Sequence, residues 1–452
     1  MDKIAPHIFR GYDIRGIYGK DLDESVAYKI GQGFGSYISE LGKKKAIVGR
    51  DNRASSETIE KALIDGLTST GIDVVSIGLV TTPMYYYAWE LLNIYSGLMI
   101  TASHNPKEYN GFKIAFDESG NAYGDKIQEL RKYIEKGEFK EGSGKVEYIN
   151  IEEKYLELYK KSVELSDKKV KVVVDAGNGT AAIIMKQIFS MFKSLEVEYI
   201  CDESDANFPN HHPDPSVEAN LEMLKQKVLE TKADVGLAFD GDADRIGVID
   251  EKGNYIPSDM YMIAIWRDII DKVDNKCALY DVKSTKAIAD EMKKLGGTSF
   301  MYRVGNSYIK AKMKEGDFAF GGELSGHMFF RDRWPGFDDG IYAGLRFVEI
   351  LSKTNKKASE LLDGVSKYYS TPEIKIKSTE TEKYQLVEKV KEYAKSKNYS
   401  ICDIDGARIE FEDSWVLVRA TQTGPDVSLR FEAKTEERLN ELMQEIRRVI
   451  DF

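Results

Sequence analysis

The sequence predicts an α/β protein, with three successive units of short strands and amphipathic helices followed by a C-terminal unit of antiparallel strands and helix. Three observations lead there. Apolar runs of strand length alternate with helical patterns through the first three quarters of the chain. The last quarter strings its apolar runs together with short polar turns. Each α/β unit also has an apolar strand running straight into a polar, glycine- or serine-bearing loop, where α/β sheets bind ligands.

In chain order, "KKAIVG", "IDVVSIG" and "SGLMITAS" read as strands and "SSETIEKALIDGLTSTG" as a helix between them. A helix over "NIEEKYLELYKKSVEL" opens the second unit, whose strands are "KVKVVVDAG", "VEYIC" and "ADVGLAFD". The third unit carries "CALYDV", "TSFMYRV" and "DFAFGGE". Beyond a boundary near "YYSTPEI", the runs "YSICDID", "ARIEFED", "SWVLVRAT" and "VSLRFEAK" read as hairpins. The closing helix puts Leu439, Met443, Ile446 and Ile450 on one stripe, with Thr435 as N-cap and Glu436 and Glu437 in its first turn. The strand-to-loop junctions are "GLMI" into "TASHNP", "VGLAF" into "DGDADR" and "FAF" into "GGELSGH"; three such loops could converge on one cleft.

At 452 residues the chain exceeds one ordinary core. Its net charge of -11 argues against nucleic acid as a main partner, while local arginines could still hold a small anion. Cys201, Cys277 and Cys402 are far apart, with no Cys-x-x-Cys, so neither a zinc site nor a disulfide framework is expected. That usage fits a reducing cytoplasm. No apolar signal core and no membrane-length apolar run occurs, so no membrane partner is expected.

"DGDADR" sets Asp240, Asp242 and Asp244 at alternate positions after a buried strand. Carboxylates this close repel one another unless a cation lies between them, and an all-oxygen set suits a hard ion, magnesium above all. A solvated acidic turn is the plainer alternative. A calcium loop would use Glu251 at its twelfth position, but its sixth position, where glycine is needed, holds Arg245, and "IGVID" continues as a strand.

Gly177-x-Gly179-x-x-Ala182 follows a strand and precedes a helix, with Asp202 near the end of the next strand. This pattern is like a dinucleotide fingerprint and supports a nicotinamide-dependent oxidoreductase as the alternative class. It would leave the acidic loop idle. No Gly-Lys-Ser/Thr phosphate loop occurs, which disfavours an ATP-driven kinase.

In "ITASHNPKEYNGFKIAF", Ser103, His104 and Lys113 exceed what a turn needs. A serine hydroxyl alone is a poor nucleophile. Near a divalent ion it could carry a phosphoryl group, with Lys113 or His104 moving the acceptor's proton. A stored phosphoserine would explain the missing ATP site; taken alone, Ser103 is as readily a turn or capping hydroxyl.

"TASHNPKEYNGFK", "DGDADR", "GGELSGH" and "RATQTGPD" occur in the order seen in the α-D-phosphohexomutases, and "FRGYDIRG", "GRDNRASS", "VVVDAGNGTAA", "DVKSTKAI" and "RWPGFDDG" match as well. The chain resembles that family along essentially its whole length, most nearly the bacterial phosphomannomutase/phosphoglucomutase group. The resemblance implies three related α/β domains and a smaller C-terminal α+β domain around a central cleft, here 1–150, 151–253, 254–367 and 368–452. It implies interconversion of hexose 1-phosphate and hexose 6-phosphate, of mannose and glucose both, through phosphorylated Ser103 and a hexose 1,6-bisphosphate that also primes the enzyme. One Mg2+ per chain would be held by Asp240, Asp242, Asp244 and a phosphate oxygen on Ser103. A monomer or weak dimer in the cytoplasm is expected. A phosphoglucosamine mutase is the alternative within the family.

Other roles follow by matching position. Arg15 and Tyr12 would flank the phosphoserine, Lys113 would be the general acid/base, and His104 would adjoin the serine. Arg245 would lie beside the metal loop and Lys283 would face substrate. Glu323 and Ser325 would bond sugar hydroxyls, supported by His327. Arg419, Thr421, Gln422 and Thr423 would grip the phosphate that is not transferred. This chain departs from the family's pattern at Thr421 and Gln422, where serine and asparagine are common, and at Asn306, where the nearest group often has a histidine that can titrate.

Overall fold

A computed structural model describes residues 4–422 and 424–452. The chain divides into two compact units, Met1–Ser258 with Ser325–Leu361, and Asp259–Leu324 with Leu362–Phe452.

The first unit contains a seven-stranded sheet ordered Ile14–Ile17, Tyr109–Asp117, Gly97–Ile100, Lys45–Arg50, Asp73–Leu79, Val146–Tyr148, with Gly120–Asn121 added beside Tyr109–Asp117. Lys45–Arg50 runs parallel to both Asp73–Leu79 and Gly97–Ile100, as crossovers through the helices Ser56–Thr68 and Thr82–Leu92 require. Apolar faces of Glu24–Glu40 (Ile30, Phe34, Ile38) and Ser56–Thr68 (Ile59, Leu63, Leu67) meet Val48, Leu98, Ile100 and Phe112 in one core. Gly97–Ile100 then turns back antiparallel into Tyr109–Asp117, with Ile100 opposite Phe112 and the Thr101 N–H donating to Gly111 O. The serine loop is thus a hairpin apex. Sequence patterning marks the strand before it but not the one after, because Tyr109–Asp117 is buried along most of its length and shows no alternation.

The second sheet of this unit has five strands ordered Tyr255–Ile256, Ile246–Asp250, Val235–Phe239, Val170–Asp175, Leu195–Ile200. Val170–Asp175 is parallel to Val235–Phe239 and Leu195–Ile200, whereas Ile246–Asp250 is antiparallel to Val235–Phe239. "DGDADR" is therefore a second hairpin apex. The helix Gly340–Lys353 packs on this sheet. Its N-cap Asp339 accepts from Tyr342 N–H and from the hydroxyls of Tyr155 and Tyr159. Burial pushes that carboxyl up to about 6, against the pull of the tyrosine hydrogen bonds.

In the second unit, Cys277–Asp281 pairs in parallel with Thr298–Tyr302 and Phe320–Gly322. A six-stranded sheet follows, ordered Tyr369–Ser370, Val427–Ala433, Ser414–Ala420, Ala407–Glu410, Ser400–Cys402, with Ile374–Ile376 also on Val427–Ala433. Its core takes Val390 and Ala394 from the helix Glu382–Ser396, and Leu442, Ile446 and Ile450 from the closing helix and the residues after it. Thr435 caps that helix by accepting from Arg438 N–H, as its sequence implies. Trp415, Leu417 and Val282 form a smaller cluster, where Arg408 lies 3.9 Å above the Trp415 ring and donates to Val282 O and Ser284 O. Among the described residues no helix is long and apolar enough to cross a membrane.

Candidate active site

Ser103 lies at the apex of the first hairpin with φ +51, a left-handed conformation that a non-glycine residue keeps only when its surroundings hold it. They do. The Ser103 N–H donates to Thr101 Oγ1 at 2.9 Å. Buried Arg53 donates to four backbone oxygens of the loop, those of Ser103, Asn105, Pro106 and Tyr109, at 2.7–3.0 Å. Arg15, paired with Asp13 at 2.7 Å, donates to Ala102 O and Asn105 Oδ1. Tyr12 is near enough to act electrostatically on Arg15 and Arg245.

The acidic loop meets this apex directly. Ser103 Oγ donates to Asp240 Oδ2 at 2.8 Å, and the backbone between them is so close that a Cβ at Gly241 would sit 2.6 Å from Ser103 O. Asp240, Asp242 and Asp244 are completely buried, with ligand oxygens within 4.8 Å of one another. Three such groups cannot all ionise unaided. Burial, with Asp242 and Asp244 adding, raises Asp240 well above the carboxylate range. Burial acts on Asp242 in the same sense but is outweighed by Lys113 and the Thr82 hydroxyl, which lower it.

Lys113 supplies the positive charge, with Nζ 3.0 Å from Asp242 Oδ2 and bonded also to Asp244 Oδ2. Burial works against its ammonium, but Asp242 and Asp244 raise its pKa well above the usual lysine range. His104 Nδ1 is 3.3 Å from Ser103 Oγ. Burial, then the charges of Arg245 and Arg15, keep this imidazole neutral. Arg245 Nε stands 3.6 Å from Asp240 and 4.0 Å from Asp244, buried and with no hydrogen-bond partner. His327 Nδ1 lies 2.8 Å from Asp338 and 3.4 Å from Asp244. Ser325 is half-buried in the same unit.

The donor set fits a hard divalent cation. Its ligands are all oxygen, and Asp242 Oδ1 and Asp244 Oδ1 are buried with no hydrogen-bond partner.

The glycine loop has a different use from the fingerprint it resembles. Thr180 N–H and Oγ1–H both donate to Gly241 O, at 2.9 and 3.1 Å, and a Cβ at Gly179 would lie 2.8 Å from that oxygen. The glycine lets this loop pack against the acidic loop. Only a 3-10 turn, Thr180–Ile183, and a short helix, Met185–Ser190, follow, with the first amide already engaged.

In the second unit Lys283, Arg419, Glu323 and Thr421 are each held by a protein partner. Lys283 Nζ is 3.4 Å from Glu373, and Arg419 meets Asp405 Oδ2 at 3.0 and 3.1 Å. Glu323 accepts from Gly305 N–H at 2.6 Å, next to Asn306, which opens the helix Asn306–Glu315. Asp405 also accepts from Val304 N–H, so the arginine and this turn share one carboxylate. Thr421 begins the apex between Ser414–Ala420 and Val427–Ala433, with its hydroxyl on Gly424 O at 2.9 Å. Gln422 is half-buried beside it, and Thr423 lies outside the described residues.

Sequence reasoning gave no role to several residues that hold these groups. Arg53 braces the serine loop, Thr82 and Thr101 donate to Asp242, and Asp281 accepts from Lys283 N–H and Leu324 N–H. Lys383 donates to Thr421 O and Gly424 O at 3.0 Å. Arg53, Thr101 and Asp281 stood within quoted motifs, whereas Thr82 and Lys383 carry no local signal, since their partners are distant in sequence.

Comparison with known proteins shows the family. Models of the phosphoglucomutase/phosphomannomutase family match in order: α/β/α domain I at residues 6–141, domain II at 153–253, domain III at 257–368 and the C-terminal domain at 373–449. The chain belongs to this family. A phosphomannomutase/phosphoglucomutase of Pseudomonas aeruginosa is 41% identical over 435 residues, 96% of this chain and 93% of its own. A phosphoglucomutase of Neisseria gonorrhoeae is 39% identical over 455 residues, 100% of this chain and 98% of its own. The crystal structure of a family member from Burkholderia thailandensis superposes with a TM-score of 0.91 at 38% identity, covering 99% of this chain and 97% of that one.

Proposed function

We propose that this chain is a phosphohexomutase that interconverts the 1- and 6-phosphates of mannose and glucose through phosphorylated Ser103. The observation that carries this reading is the 2.8 Å contact of Ser103 Oγ with a buried three-carboxylate loop. Asp240, Asp242, Asp244 and a phosphate oxygen on Ser103 would hold one Mg2+. When bound, the ion neutralises charge on the phosphoryl group as it moves.

The chain's own groups do the rest. The Ser103 Oγ–P bond breaks as a sugar hydroxyl oxygen bonds to phosphorus; that hydroxyl gives up its proton and Oγ regains one. The hexose 1,6-bisphosphate then turns and returns its other phosphate to Ser103. Lys113, held as an ammonium, is the acid form of a general acid/base. Neutral His104 steadies Oγ, and Arg15 and Arg245 offset phosphoryl charge. Glu323 and Ser325 read sugar hydroxyls, while Lys283, Arg419, Thr421, Gln422 and Thr423 bind substrate and its non-transferred phosphate. Such a protein needs a trace of hexose 1,6-bisphosphate as primer. We also read the chain as four domains, 1–150, 151–253, 254–367 and 368–452, acting as a monomer or weak dimer in the cytoplasm.

Intact-mass measurement tests the centre: the wild type should carry one labile phosphate that Ser103→Ala lacks. Turnover of mannose 1-phosphate and glucose 1-phosphate with primer and Mg2+ tests the substrates. Tight binding of both without turnover of either would overturn the reading in favour of a sugar-phosphate sensor.

A further inference from the structure

We propose a second metal site in the first unit, made by Asp175, Cys201 and His211 and selective for a borderline-soft divalent cation, Zn2+ above all. One ligand atom from each lies within 4.8 Å of the others. Asp175 ends the strand Val170–Asp175 and is fully buried. Its Oδ1 accepts from Gly177 N–H at 2.8 Å, and its Oδ2 is 3.0 Å from His211 Nε2. His211 Nδ1 is 3.0 Å from His212 O, so Nδ1–H donates to that carbonyl and Nε2 turns toward Asp175. This is how metal-binding histidines are usually oriented. Cys201 follows the neighbouring parallel strand Leu195–Ile200 with φ +47 and is pinned by Asn178 N–H donating to its carbonyl at 2.9 Å.

Thiolate, imidazole and carboxylate form a three-ligand zinc set with a fourth position for water. Binding would release the thiol proton and the proton shared between Nε2 and Asp175. The three-aspartate loop offers oxygen alone, so the two sites differ in hardness and would sort cations. Cys201 and His211 are ten positions apart and Asp175 lies in another strand, a spacing that no zinc motif describes.

The test uses the full chain with Mg2+ in large excess, so that the aspartate loop is filled. Zn2+ is titrated against a chromogenic chelator, and Co2+ is added separately to look for a thiolate-to-metal charge-transfer band. One Zn2+ per chain and such a band are expected. Cys201→Ser should abolish the band and weaken Zn2+ binding by at least about tenfold, the low end of what losing even an outer-shell partner costs. His211→Gln should weaken Zn2+ as well, while Cys277→Ser should leave both signals intact. Unchanged melting temperatures without metal would show that the variants fold. The proposal is overturned by a wild type with no charge-transfer band, by a band that survives Cys201→Ser, or by Zn2+ that excess Mg2+ displaces.

Discussion

The serine loop and acidic loop of the first unit, and the 421–426 loop of the second, are all hairpin apices, yet their charges are handled in opposite ways. In the first unit Lys113 pairs with Asp242 and Asp244 while Arg245 stands 3.6 Å from Asp240, and two of the buried carboxylate oxygens have no hydrogen-bond partner. In the second unit Arg419 is matched by Asp405 and Lys283 by Glu373. The carboxyl groups register the difference. Asp240 is pushed well up, chiefly by burial, while Lys283 brings Glu373 down to about 2. One region leaves buried carboxylate oxygens that suit a cation; in the other the charges are paired, so an anion must compete with an internal ion pair.

The largest test of this contrast is Ser103→Ala. Mutase turnover should fall by at least about 10^4-fold, the scale seen when a covalent nucleophile is removed. Residual turnover near wild type would break the comparison at its first member. Asp242→Asn comes next. Mg2+ should raise the melting temperature of the wild type, and the variant should need at least about tenfold more Mg2+ for the same rise. In the second unit, Arg419→Lys replaces a fork of donors by one ammonium. KM for a hexose phosphate should rise about tenfold with kcat changed less, since a charge-assisted hydrogen bond contributes roughly 1.5–3 kcal/mol.

The smallest effect concerns Glu373→Gln. A carboxyl held below its unfolded value of 4.5 adds stability above that pH and loses it as pH falls toward about 2. With its side chain 28% exposed, the loss by about pH 3.5 should be on the order of 1 kcal/mol. Denaturant unfolding of wild type against variant should show that difference narrowing as the solution is acidified. A gap constant from neutrality to acid would mean that Lys283 and Glu373 are not paired in solution.

Much of the candidate site was legible because its residues are clustered in the chain. "TASHNP" and "DGDADR" each place their groups within a few positions after an apolar strand. The closing helix and its Thr435 cap were readable for the same reason, since helical spacing and capping are local. The hairpin after Ser103 was not readable, because a strand buried on both faces has no period to show. Nor was the packing role of Gly179, because Gly241 O, which a Cβ there would meet at 2.8 Å, is distant in sequence.

By itself, the sequence determined the α/β alternation, the antiparallel C-terminal unit and the kinds of group that the loops present. Those follow from propensity, periodicity and side-chain chemistry within short stretches. Tertiary structure alone decided that Lys113 lies on Asp242 and Asp244, that Arg53 gathers four carbonyls of the serine loop, and that ligand atoms of Asp175, Cys201 and His211 lie within 4.8 Å of one another. Charges and ligand atoms act over a few ångströms of space, and the fold, not the order of residues, sets which of them come within that range.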